Sequence, residues 1–133
     1  MAGDSKEATL DEAIEAFNRG KYFDAAEKFE LATQSADGEL KDLASALNRI
    51  AAALHLRFER GGRQSSINLL SQAMLALDDM KPARRGIDVE RLCAELAAYT
   101  EELRAVPRNE REGLKHRARI FLERRRAPKI NLR

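Results

Sequence analysis

A chain of 133 residues is long enough for one hydrophobic core, and 44% apolar against 35% charged residues excludes a disordered chain. Its run of apolar residues nowhere approaches the ~20 needed to span a membrane, and the polar Met1–Glu7 stretch lacks the apolar core of a signal peptide, so a cytoplasmic protein without a membrane role is expected. Net charge is only +2, but from Arg104 onward there are 11 Lys/Arg and 3 Glu, against 13 basic and 19 acidic residues before it: an acidic body with a basic C-terminus.

The first eight residues are polar and are expected to be a disordered N-terminus. Thr9 and Glu12 stand in capping-box register, which predicts that helix 1 opens at Thr9. Leu10, Ala13, Ile14 and Phe17 then share one face, and Gly20 supplies the stop. Helix 2 is predicted over about 22–33, with Tyr22, Ala25, Ala26, Phe29 and Ala32 inward. Its small alanines let the backbones of the two helices approach closely. A loop at 35–38 leads to helix 3 over about 39–60. There Leu40, Leu43, Ala44, Leu47, Ile50, Ala51, Leu54 and Phe58 keep helical register, and Ala46, Ala52 and Ala53 widen the stripe. Such a wide stripe marks a central helix.

Gly61-Gly62 ends helix 3, and helix 4 follows over about 64–79 with Ile67, Leu70, Met74 and Leu77 inward. Lys81–Gly86 is a connector. Asp88 is placed to cap helix 5, which turns Val89, Leu92, Cys93, Leu96, Tyr99 and Leu103 inward. Cys93, the sole cysteine, has no internal disulfide partner and reads as a packing residue. Pro107 breaks the chain, and Asn109 and Glu112 repeat the capping signature of a sixth helix running to about Arg126. Its expected apolar face is Leu114, Ala118, Phe121 and Leu122. Residues 127–133 are expected to be extended, because a residue before proline disfavours helix.

The expected fold is therefore all-α: a single compact bundle of five to six helices around a central helix at about 39–60. The expected division is a disordered 1–8, a bundle over 9–104, and a basic helix and extended tail over 105–133 that packs on the bundle or projects from it.

Gly20, Tyr22, Ala25, Phe29 and Ala32 resemble the second half of a tetratricopeptide repeat: glycine turns the chain, the aromatic closes the corner, and alanine lets helices touch. Gly20 and Gly61 are spaced more widely than the roughly 34 residues of a regular repeat, so a hairpin of that kind is expected and a repeat array is not. A closer resemblance covers about residues 10–104. The stretch Phe17-Asn18-Arg19-Gly20-Lys21-Tyr22-Phe23-Asp24-Ala25-Ala26-Glu27-Lys28-Phe29-Glu30 resembles the opening motif of the domain of unknown function 309 family. Ala51-Ala52-Ala53-Leu54-His55 resembles its Ala-rich helix, and Gly86-Ile87-Asp88 the segment before its last helix. The resemblance implies a helical bundle around one central helix, in a family whose activity is not established. Ala26 stands where that family places His, and Thr33 where it places Trp. An activity that depended on that His is therefore expected to be absent.

Glu27, Glu30 and His55 form the only candidate metal or acid–base set: the glutamates, three apart, can reach one patch, and an imidazole with two carboxylates can hold a divalent ion. The competing expectation, which prevails, is that the glutamates are solvated and His55 packs. No His-Glu-x-x-His or Cys cluster accompanies them, so neither a catalytic residue, a cofactor nor a metal is expected. Gly61–Ser66 is Gly-rich before a helix but lacks the Gly-Lys-Ser/Thr ending of a phosphate loop.

The candidate polyanion-binding residues are Arg111, Lys115, Arg117, Arg119, Arg124, Arg125, Arg126 and Lys129, with Arg133 beyond them. Cations at this density bind phosphates in a salt-dependent way. They also fit a solvated helix, or one docked on the chain's own acidic body. With Phe121 as the lone aromatic, base stacking adds little. The reading that leads is a non-catalytic protein-interaction module with a groove beside the Gly20 hairpin. A nucleic-acid-associated accessory protein acting through residues 105–133 is the alternative. An enzyme or metal protein using Glu27, Glu30 and His55 comes third.

Overall fold

Local sequence sets the helix boundaries, and the apolar stripes then stack the helices in chain order. The structure, a computed structural model, describes residues 2–36, 38–107 and 114–132. The protein is an all-α bundle: α1 (Ala2–Asn18), α2 (Tyr22–Ser35), α3 (Gly38–Arg60), α4 (Gln64–Leu77), α5 (Val89–Arg104) and α6 (Leu114–Arg125). α1 packs on α2, α2 on α3, α3 on α4 and α4 on α5. α3 lies between two neighbours, and its buried residues run from Leu40 to Arg57.

α1 begins at Ala2, so Thr9 and Glu12 sit inside the helix and not at its start. Propagation of an existing helix adds one hydrogen bond per residue fixed, so the helix continues N-terminal to the capping-box residues. The stop is as expected. Gly20 takes φ +80°, and the Lys21 amide returns to the Ala16 carbonyl at 2.9 Å, which satisfies a carbonyl at the end of α1. Tyr22 then closes the corner, buried against Phe17 at 5.3 Å and Phe58 at 5.6 Å between ring centroids.

The connector holds a structure that the pattern did not reveal. After α4 a 3-10 turn (Asp78–Met80) leads into β1 (Ala83–Arg84), paired antiparallel with β2 (Ile87–Asp88). Arg85 and Gly86 both have positive φ, which matches the right-handed twist of a tight hairpin. Two-residue strands are too short to leave an alternation in the sequence. Asp88 caps α5 as expected, accepting from the Arg91 amide at 3.0 Å.

α6 departs most from its expected face. Phe121 and Leu122 are 60% and 52% exposed, and Ala118 is exposed as well. The side turned to the bundle carries His116, Ile120 and Glu123, followed by buried Ala127 one turn beyond Glu123. These positions keep strict helical spacing, but one is charged, so a search for apolar periodicity selects the other face. The expected start at Asn109 and Glu112 lies outside the described residues.

Beyond α6 the chain is extended from Ala127 to Leu132 and lies along the bundle. The Asn18 side chain grips the Ile130 backbone twice, donating to its carbonyl at 2.8 Å and accepting from its amide at 2.9 Å. Asp88 donates its amide to the Asn131 carbonyl at 2.8 Å, and Leu132 bridges to Ile87. The Ile130 side chain is buried.

Candidate functional site

The site is built where three elements meet: the Gly20 turn, the last two turns of α3, and α6. What brings α6 there is a buried ion pair. Arg57 donates through Nε to Glu123 Oε1 at 2.9 Å and through Nη2 to Oε2 at 2.7 Å, the parallel fork that suits guanidinium and carboxylate. Both side chains are 1% exposed. The Tyr99 hydroxyl of α5 donates to the same Oε1 at 3.2 Å, and Arg57 Nη1 donates to the Gly61 carbonyl at 3.3 Å. Three helices therefore converge on one carboxylate. Burial, with the negative charge of Glu123 alongside, raises the Tyr99 phenol well above its ordinary value, so it serves as a neutral donor.

Neither Arg57 nor Glu123 was a predicted site residue. The sequence does carry a trace of them. Arg57 continues the buried register of Ile50 and Leu54, and Glu123 is the lone carboxylate after Glu112 in an otherwise basic stretch. A single acid among arginines is what a docked basic helix needs in order to meet a buried cation.

The predicted basic residues that the structure describes have different surroundings. Arg124 turns back onto the bundle. It donates to the Gly20 carbonyl at 3.2 Å, lies 5.5 Å from the Phe58 ring centroid, and stands 3.8 Å from Glu59. Its charge partly offsets the effect of burial on Tyr22, whose phenol is nonetheless raised. Arg126 pairs with Glu102 of α5 at 2.5 Å, and Lys129 donates to the Asn18 carbonyl at 2.9 Å. Arg125 lies over Phe121 at 5.8 Å, Lys115 and Arg117 are exposed, and Arg119 is half-buried. Arg111 and Arg133 lie outside the described residues.

Two clefts flank Arg124. The larger, about 1020 Å³, lies between Arg60 and Gly61 at the end of α3 and His116, Arg117, Phe121 and Arg124 on α6. The smaller, about 590 Å³, lies beside the hairpin and is walled by Gly20, Tyr22, Phe23, His55, Glu59 and Arg124. Sharing Glu59 and Arg124, they form two lobes of one groove. Phe23 and Phe121, each 60% exposed, stand one in each lobe. Phe23 leans on His55 with ring centroids 5.2 Å apart.

Glu27 and Glu30 are exposed and His55 is half-buried. Among the described residues no group of three or more His, Cys, Asp or Glu side chains is placed to hold a metal ion, so these three are not brought together as one. The Gly61–Ser66 turn is spent on the fold: the Gly61 and Gly62 amides return to the Arg57 and Leu56 carbonyls, and Ser66 donates to the Ala53 carbonyl at 2.7 Å. Among the described residues no helix is long and apolar enough to cross a membrane.

No protein-family model matches the chain, and no solved structure matches it. Over 105 residues, 77% of its length, it is 36% identical to an uncharacterized protein of Aquifex aeolicus (strain VF5). The chain spans about 30% of that relative's length, so the similarity is to one part of a larger protein.

Proposed function

We propose that the chain is a non-catalytic helical interaction module whose docking face is the two-lobed groove beside the Gly20 hairpin. The observation that carries this is the pair Phe23 and Phe121, large apolar side chains held 60% exposed on rigid helices at the two lobes. Exposed aromatics beside a concave, mixed-charge surface fit protein recognition, where such residues form the anchors. A cytoplasmic setting and membership of the domain of unknown function 309 family, on the three motifs named above, belong to the same proposal.

The test is comparative enrichment from extracts of the source organism with wild-type protein, Phe23→Ser and Phe121→Ser, and with Leu75→Ser, an exposed α4 residue outside both clefts, as control. Proteins retained by wild type and by the control but lost from the groove variants support the reading. An unchanged set across all four sinks it.

Nucleic-acid association is the second reading, favoured by the exposure of Lys115, Arg117 and Arg125 on α6. The inward commitments of Arg124, Arg126 and Lys129 weigh against it, since they interrupt the basic track. A Lys115→Glu/Arg117→Glu pair should abolish salt-sensitive binding of single-stranded RNA if this reading holds.

A further inference from the structure

Resting on the interaction reading, we infer that the larger lobe is an anion subsite and that the groove takes an acidic peptide segment with an apolar anchor. The charges show the asymmetry. Several arginines elsewhere on the chain have a carboxylate, Arg19 with Glu15, Arg104 with Glu101 and Arg126 with Glu102, and Arg124 in the groove stands near Glu59. Arg60 and Arg117 face the same cleft from opposite walls, both exposed, and neither forms an ion pair with a carboxylate among the described residues. Among the described residues Glu59 is the one carboxylate on the wall of this lobe, and Arg124 is its neighbour. A net positive lobe therefore adjoins an aromatic one.

The same details favour a peptide over a nucleic-acid strand. A strand repeats its charge at every nucleotide and needs a continuous basic track. Here Glu59 and Asp24 interrupt the cations of the hairpin lobe, Lys21 and Arg124, and Arg126 is held by Glu102. A segment whose carboxylates are clustered at one end and whose apolar residue lies at the other meets both lobes. In the bound arrangement the anchor packs on Phe23 and His55, and the carboxylates bridge Arg60 and Arg117.

Fluorescence anisotropy with the full chain tests this. The probes are a labelled peptide bearing a Phe-Leu anchor followed by a run of glutamates, its counterpart with lysines, and a single-stranded RNA oligomer. The variants are Phe23→Ser and the pair Arg60→Glu/Arg117→Glu, all at exposed positions, with folding checked by circular dichroism. The glutamate peptide should bind best, and the charge-reversed pair should weaken it by about tenfold or more, as repulsive rim charges do. Phe23→Ser should weaken both peptides. If both peptides bind alike and only Phe23→Ser matters, the anion subsite is overturned and the interaction module stands. If neither peptide binds, or binding ignores Phe23→Ser, both fall. If RNA binds more tightly than the glutamate peptide and depends on Arg60 and Arg117, the lobe is a nucleic-acid site and the peptide assignment is wrong.

Discussion

Glu123→Ala removes the carboxylate that holds the Arg57 guanidinium inside the protein. Both side chains are 1% exposed and are joined by bonds of 2.9 and 2.7 Å. Arginine does not deprotonate to escape the interior, so the variant leaves a buried cation without its counterion. Removing one partner of a buried pair costs about 3–5 kcal/mol, a shift of about two to three and a half decades in the folding equilibrium. The Tyr99 hydroxyl loses its acceptor too, which adds about 1–3 kcal/mol if no water replaces it. The triple change Arg57→Met/Tyr99→Phe/Glu123→Leu removes all three polar groups and should lie near wild type, since apolar replacement of a buried pair is commonly neutral or stabilising. Urea unfolding followed by far-ultraviolet circular dichroism measures both. The loss cannot exceed the free energy with which α6 docks, because the helix can leave while α1–α5 remain packed. Amide exchange then reports that outcome as lost protection confined to α6 and the tail. A loss below about 1 kcal/mol, the scale of an exposed pair, with α6 still protected, would refute the reasoning.

Asn18→Ala deletes both bonds to the Ile130 backbone and should free the tail, at about 1–3 kcal/mol; faster proteolysis after α6 with an unchanged bundle is the expected result, and an equally resistant tail would contradict it. Gly20→Ala meets no atom within 4 Å, so its cost is backbone strain alone at φ +80°, about 1–2 kcal/mol by denaturation, and no loss would contradict the Gly20 geometry. The Tyr99 phenol is raised in the folded state, so above pH about 10 the unfolded chain has released a proton that the native chain keeps. Stability is therefore fully present below that pH and falls as pH rises beyond it. Absorbance titration should show Tyr99 ionising only as the protein unfolds, and early ionisation at pH about 10 in folded protein would rule this out.

Much of this protein is legible in the residues alone. Helix identity, the Gly20 stop, the Asp88 cap and the inward faces of α3 and α5 follow from periodicity and capping chemistry, because each depends on neighbours within a few positions. Cys93 is buried as its place on α5 implied, and burial raises its thiol. The hairpin at Ala83–Asp88 and the face of α6 do not follow. The hairpin's two-residue strands are too short to leave a pattern, and the face of α6 depends on a partner far along the chain, Arg57 for Glu123. Tertiary structure alone decided that the basic helix presents a glutamate inward and two apolar side chains outward. A charge becomes a core residue only where another element brings its counterion, and 66 residues separate this pair in sequence. That docking turned several predicted cations toward the bundle and left Arg60 and Arg117 lining one cleft.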